Sequence, residues 1–197
     1  MNGEGAILRI SAGQLKGRKI AVKKSAGKSE RDNLRPTSSK VREALFDILR
    51  NDIKDSAFLD LYAGTGAVGF EALSRGASRT CFVEADRAAA KEISLYIDKM
   101  GLHERTEIFT GTADRFLKRT EVAEMTFDII FADPPYASDE IEKILPLIDT
   151  GDIMKAEGCL IVEHHAKKTI DVPCRNLRRI KNYKYGDTML TLYRKEP

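Results

Sequence analysis

From residue 57 onward the chain alternates short apolar runs with amphipathic stretches. The apolar runs are Ala57 to Leu61, Thr80 to Glu84, Thr106 to Thr110, Phe127 to Ala132 and Gly158 to Glu163. Each has the length of a buried strand and is rich in Phe, Ile, Leu or Val, so βαβ units around a parallel sheet are expected. The clearest intervening helix runs from Arg87 to Met100, with Ala88, Ile93, Leu95, Ile97 and Met100 near one face and Gly101 as its stop. A second helix is expected over Ser138 to Ile148. Toward the end the period changes. Leu177 to Tyr183 and Met189 to Tyr193 alternate apolar and polar residues about Tyr185-Gly186-Asp187, the pattern of an antiparallel hairpin that closes one sheet edge.

Ahead of this α/β core, Leu8 to Ser11 and Arg18 to Val22 read as two short strands joined through Gly13 to Gly17. Lys23 to Asn33 is Lys, Ser, Gly and Glu with almost nothing apolar, and is expected to be a mobile loop. Pro36 and Thr37 then open a helix whose Val41, Ala44, Leu45, Ile48 and Leu49 share one face. The expected division is a basic β-hairpin and loop over 1–34, followed by one α/β domain over 35–197.

Composition narrows the class. The 197 residues are 42% hydrophobic with 6 prolines, which suits a globular chain and excludes collagen-like and disordered readings. No apolar run approaches the about 18 residues of a membrane span, and the N-terminus lacks the apolar core of a secretory signal, so a cytoplasmic location away from membranes is expected. Cys81, Cys159 and Cys174 are odd in number and widely separated, and are read as reduced, with Cys81 and Cys159 in the core. His103, His164 and His165 lack metal-ligand spacing; no metal is expected, and the three are read as surface or cleft residues.

The formal net charge of +3 conceals a strong asymmetry. Residues 1–42 hold 11 Lys/Arg against 3 Asp/Glu, residues 43–164 hold 13 against 24, and residues 165–197 hold 9 against 3. Two basic ends flank an acidic middle, and if they share a face they suit a polyanion such as nucleic acid. Solvated basic tails are the alternative.

Gly64-Thr65-Gly66-Ala67-Val68-Gly69 follows an expected strand and opens a helix, matching the spacing of a dinucleotide-binding loop. Glu84 ends the next strand 20 residues after Gly64, where a carboxylate can accept from both hydroxyls of a ribose. Asp60 sits just before the loop, where it would repel a pyrophosphate and suit a cationic ligand. Those features point to S-adenosylmethionine, a sulfonium nucleoside with an ammonium group. In the next loop, Gly111-Thr112-Ala113-Asp114, Asp114 either accepts from the adenine amino group or faces solvent at a helix start.

Asp133-Pro134-Pro135-Tyr136 lies just past the carboxyl end of an expected strand, the ligand edge of an open α/β sheet. Two prolines remove two N–H donors and leave carbonyls available to accept. The Asp133 carboxylate and Pro134 carbonyl can hold the two hydrogens of an exocyclic base amine, and Tyr136 offers a ring to stack on the base. Methyl transfer to such an amine relies on positioning and electrostatics.

These residues resemble a known family. Arg9-Ile10-Ser11-Ala12-Gly13, Lys16-Gly17-Arg18-Lys19, Arg35-Pro36-Thr37, Val41-Arg42-Glu43-Ala44-Leu45-Phe46, Leu59 to Gly66, Phe82-Val83-Glu84, the Asp133 tetrad and Tyr185-Gly186-Asp187-Thr188 are similar to the RsmD-type bacterial 16S rRNA guanine-N2 methyltransferases. The resemblance spans nearly the whole chain. It implies a Rossmann-like class I methyltransferase with a mostly parallel seven-stranded sheet, its last strand antiparallel, helices on both faces and a small N-terminal β appendage. It further implies methyl transfer to one guanine of small-subunit rRNA, in a ribosomal subunit or an assembly intermediate. The candidate catalytic residues are Asp133, Pro134, Pro135 and Tyr136. Candidate cofactor contacts are Asp60, Tyr62, Ala63, Gly64, Thr65, Gly66, Glu84, Ala85, Thr112, Ala113 and Asp133. Candidate RNA contacts are Arg9, Lys16, Arg18, Lys19, Arg35 and Thr37, with the Lys23 to Asn33 loop; a monomer is expected. Thr112 departs from the Asp or Asn common there in the family, which leaves the adenine contact to backbone or to Asp114.

Four other readings stay open. A DNA amino-methyltransferase would need a sequence-reading segment, and only 61 residues follow Tyr136. Relatives that methylate protein glutamine usually begin the tetrad with Asn, not Asp133. A catalytically silent rRNA-binding assembly factor would bind cofactor without turnover, and an NAD-dependent oxidoreductase would prefer NAD.

Overall fold

In the computed structural model, the structure describes residues 6–22, 38–119, 125–136 and 138–197. The expected Lys23 to Asn33 loop and the candidate RNA contacts Arg35 and Thr37 lie outside the described residues. Two short strands, β1 (Ala6–Arg9) and β2 (Lys19–Val22), pair antiparallel as a hairpin. The remaining elements are α1 (Ser39–Ile48), β3 (Ala57–Asp60), α2 (Ala67–Ser74), β4 (Arg79–Glu84), α3 (Arg87–Met100), β5 (Thr106–Thr110), α4 (Ala113–Leu117), β6 (Phe127–Ala132), α5 (Glu140–Thr150), β7 (Met154–His165), β8 (Leu177–Tyr185) and β9 (Thr188–Lys195). Seven strands form one sheet in the order β5-β4-β3-β6-β7-β9-β8. The first five run parallel, whereas β9 is antiparallel to both β7 and β8. The final strand is therefore inserted beside β7 and leaves β8 as the edge.

Alternation along each strand sends side chains to two cores. Leu59, Val83, Ile130, Leu160 and Val162 pack with Phe116 of α4 and Ile141, Ile144 and Ile148 of α5. On the other face, Phe58, Ile129, Phe131 and Ile161 meet Val41 and Leu45 of α1, while Phe82 meets Phe70 of α2 and Ile93 of α3. Cys81 and Cys159 are core residues as expected, and burial pushes both thiols up to about 12.

Several boundaries differ from those the periodicity predicts, each for a local reason. The first strand ends at Arg9 and does not reach Ser11, because Glu71 of α2 takes the Ser11 N–H (2.8 Å) and hydroxyl (2.7 Å). The fifth helix begins at Glu140 and not at Ser138, whose N–H and hydroxyl both donate to the Pro135 carbonyl. Strand β7 is twice the predicted length because its first half, with Lys155, Ala156 and Glu157 exposed, carries no apolar signal. The reach of β8 and β9 to Tyr185 and Thr188 confines the turn to Gly186 and Asp187, with Gly186 at φ +61°.

The hairpin is seated on α2. Beyond the Ser11 contacts, Glu71 accepts from the Ala12 N–H and from Arg75 Nε, and lies 3.8 Å from Arg42 Nε. Arg42 in turn donates to the Arg9 carbonyl. Ile10 and Ile20 join the core around Phe70, and the Tyr96 hydroxyl accepts from the Ala21 N–H. One buried carboxylate thus gathers the hairpin and two guanidinium groups, and the charge pattern alone did not single it out.

Candidate active site

The strand order reverses between β3 and β6: the chain adds β4 and β5 on one side, then returns to place β6 on the other. A crevice opens at such a point, outside the carboxyl ends of the strands. The loops after β3, β4, β5 and β6 all emerge on that edge, because those four strands are parallel. They carry Tyr62 to Gly66, Glu84 with Ala85, Thr112 with Ala113, and the Asp133 tetrad.

The glycine loop is fixed by backbone bonds on both sides. The Leu61 N–H donates to the Phe131 carbonyl, the Ala63 N–H to the Val83 carbonyl, and the Gly66 N–H to the Ala63 carbonyl. Gly64 and Gly66 have φ of +53° and +76°, a region that favours glycine. A Cβ on Gly66 would lie 2.8 Å from the ring of Phe70, one turn further along the helix it opens, and 3.2 Å from Ile93 of α3, so glycine is required there. Asp60 is almost fully buried beneath this loop; its carboxylate accepts from the Gly69 N–H (3.1 Å) and the Tyr62 backbone. Burial raises its pKa to about 7, with the nearby Glu84 charge adding to the rise.

The Glu84 oxygens each accept one backbone N–H, from Gly64 and from Asp86, both at 2.7 Å. The residue read as a ribose acceptor therefore also clamps the loop. Ala85 is exposed at the strand end, whereas Ala113 is buried in the core at the start of α4. Thr112 is exposed and bonds Asp114, which lowers the Asp114 pKa. Tyr62 crosses the crevice: its hydroxyl donates to Glu140 Oε2 at the start of α5 (3.1 Å), and burial together with that carboxylate raises its pKa.

In the tetrad, Pro134 is buried, Asp133 half-buried and Tyr136 exposed. The expectation that the proline carbonyls stay open for a ligand is corrected for Pro135, which is engaged by Ser138. Ser138 is itself held by Lys168 Nζ on its carbonyl at 2.8 Å. The Tyr136 hydroxyl donates to Glu163 Oε1 (3.0 Å) and is 3.1 Å from Thr188 Oγ1. Burial raises the Glu163 pKa to about 7 and raises that of Tyr136 as well. Glu163 and Glu140 escaped the sequence reading, since a lone acid at a strand or helix end has no period to reveal it. His164, expected on the surface or in the cleft, is buried and bonded to Thr191 Oγ1 at 2.8 Å.

Among the expected RNA contacts, Arg9, Lys16, Arg18 and Lys19 are all exposed on the hairpin. Among the described residues, the hairpin lies on α2, and Arg178, Arg179, Lys181 and Lys184 lie on the edge strand β8, with Arg179 also donating to the Ile170 carbonyl. Other C-terminal cations are used internally, Arg194 by Asp52 and Lys195 by the Gly151 and Met154 carbonyls.

A Rossmann-like sheet with antiparallel β9 beside β7, a glycine loop at its reversal point and an Asp-Pro-Pro-Tyr loop on the same edge together define a class I methyltransferase fold. The family model described as Conserved hypothetical protein 95 matches residues 8–194, and the chain belongs to that family, the RsmD family of methyltransferases. The chain is 33% identical to Ribosomal RNA small subunit methyltransferase D of Haemophilus influenzae, over 98% of this chain and 95% of that protein. It is 31% identical to YlbH of Bacillus subtilis, over 95% of this chain and 99% of that protein. The solved yhhF protein of Escherichia coli, 30% identical, superposes with a TM-score of 0.82 and covers 97% of this chain and 99% of that one.

Proposed function

We propose that this protein transfers a methyl group from S-adenosylmethionine to the exocyclic N2 amine of one guanine in 16S rRNA. The substrate is a small ribosomal subunit or its assembly intermediate, and the enzyme acts as a monomer in the cytoplasm. The observation that carries this reading is the emergence of the glycine loop and the Asp133 tetrad from adjacent parallel strands at the reversal of strand order. The names of the Haemophilus influenzae and Escherichia coli relatives support the rRNA substrate.

The residues present fit the cofactor. Gly64 and Gly66 let the backbone approach closely, Glu84 ends β4 where a ribose would lie, and Asp60 sets negative charge under the loop. Tyr62, Ala63, Thr65, Ala85, Thr112 and Ala113 complete the contacts. When bound, the cofactor supplies a methyl group on a positively charged sulfur. The chain supplies position: Asp133 and the Pro134 carbonyl accept from the amine, and the Tyr136 ring stacks on the base, so that the nitrogen lone pair points at the methyl carbon. Methyl transfer would release a neutral thioether, and the Asp133 carboxylate that accepts from the amine, or water, would take the proton the methylated nitrogen loses. Arg9, Lys16, Arg18 and Lys19, with Arg35 and Thr37, hold phosphates while the guanine is extruded into the site.

The decisive experiment is nucleoside mass spectrometry on small subunits from a strain lacking the protein, before and after treatment with the purified enzyme and S-adenosylmethionine. Appearance of N2-methylguanosine at one site is expected; no methylated nucleoside would refute the reaction. In the same assay Asp133→Ala is expected to lower turnover by about 100-fold or more with cofactor affinity within about twofold. Turnover equal to the parent would remove Asp133 from the reaction.

A further inference from the structure

The Tyr185-Gly186-Asp187-Thr188 stretch has no part in the mechanism above, yet Thr188 touches the tetrad. The Tyr136 hydroxyl is held at two points, by Glu163 Oε1 at 3.0 Å and Thr188 Oγ1 at 3.1 Å. The ladder pairs His165 with Thr188 and Glu163 with Leu190, so alternation puts Glu163, His165 and Thr188 on one face of β7 and β9. On that face the His165 ring meets the Tyr136 ring edge-on, with centroids 6.0 Å apart.

Glu163 is 3% exposed and its Oε2 has no hydrogen-bond partner. A buried carboxylate with an unused oxygen is costly in a strand whose neighbours are Ile161 and Val162, so packing does not account for it. Its bond to Tyr136 supplies a reason. The Tyr136 ring is 38% exposed, so anchoring its tip adds little to the core but fixes the ring plane at the ligand edge. Asp133 is close enough for its charge to act on the same hydroxyl, so the anchored ring and the amine acceptor are neighbours on one loop.

We propose that Glu163 and Thr188 form a positioning unit that sets the Tyr136 ring plane against the target base, which makes the turn between β8 and β9 part of the amine-methylating site. The proposal rests on the reading of the Asp133 tetrad as the methyl-acceptor site. Methyl transfer requires the nitrogen, the methyl carbon and the sulfur in line, so a ring free to rock loses turnover before it loses binding. Glu163 and Thr188 act through Tyr136 and are positioning residues.

The test measures kcat and S-adenosylmethionine affinity of the full-length enzyme on unmethylated small subunits. Tyr136→Phe, Thr188→Val and Glu163→Leu are each expected to lower kcat about tenfold with cofactor affinity within about twofold. Thr188→Ser, which restores a hydroxyl, should recover most of the loss, and Glu163→Gln, which keeps an acceptor, part of it. Tyr136→Phe combined with Thr188→Val should fall no further than Tyr136→Phe alone, because Tyr136→Phe already removes the contact to Thr188 along with that to Glu163. Parental kcat in Tyr136→Phe, or Thr188→Ser as impaired as Thr188→Val, would overturn the proposal. If a Glu163 variant fails to fold, Tyr136→Phe decides, since it removes a single oxygen from a side chain with an open face. Asp133→Ala separates the two levels: loss there with parental Tyr136→Phe sinks only the positioning unit, while full turnover in Asp133→Ala sinks the tetrad reading as well.

Discussion

Asp60 and Glu163 are both enclosed carboxylates at the ligand edge, each with a pKa raised by burial to about 7. A raised pKa means the folded state binds the proton more tightly than the unfolded chain. Each group therefore adds stability that is complete below about pH 4 and lost as pH rises through about 7. For Asp60 this gives a linked expectation. Urea midpoints of Asp60→Asn relative to the parent should rise between about pH 5 and pH 8, and a pH-independent difference would contradict a raised pKa. A cationic ligand favours the ionised carboxylate, so parental affinity for S-adenosylmethionine should weaken from about pH 8 to pH 6, and Asp60→Asn should flatten that dependence. The place of Asp60 just before the glycine loop was legible in the sequence. Its enclosure under Gly69 and the backbone of Tyr62 was not, since burial depends on what folds over a residue.

At the scale of elements, α2 shows how much one glycine can decide. A Cβ on Gly69 would lie 2.2 Å from the Phe82 ring, and Phe82 is fully buried with Phe70 against it at 5.0 Å between centroids. Gly69→Ala is expected to destabilise the protein by about 1–3 kcal/mol through overpacking, visible as a lower urea midpoint with unchanged slope. A midpoint equal to the parent would show that α2 is free to shift away from β4. The third glycine of the loop was legible as a spacing; the ring it must clear was not, because Phe82 enters from the next strand. Strands β3, β5 and β6 and helix α3 were read within a residue, but the α3 stripe is corrected: Ala90, Ile93, Tyr96 and Ile97 face the core, whereas Ala88 and Leu95, expected on that face, are exposed. The first half of β7 was missed because it pairs through Met154 while its exposed side chains are polar.

At the scale of the molecule, the net charge divides between a hairpin on α2, an acidic sheet domain and a basic edge strand. Lys16, Arg18 and Lys19 are exposed on the hairpin. Neutralising all three should weaken binding to small subunits and reduce the slope of log affinity against log salt by about 2 or more. Equal slopes in variant and parent would show that RNA is gripped elsewhere, with β8 the next surface to examine.

The sequence by itself determined the parallel core, the C-terminal hairpin, the glycine loop and the tetrad, because strand periodicity, turn chemistry and motif spacing are local properties of the chain. It also carried enough resemblance to place the chain in its family. Only the tertiary structure decided that Glu71 seats the hairpin, that β9 enters beside β7, and that Glu163 and Thr188 meet Tyr136. The Glu71 and Tyr136 contacts join residues 27 or more positions apart, and a lone polar residue leaves no periodic trace of the partner that will satisfy it.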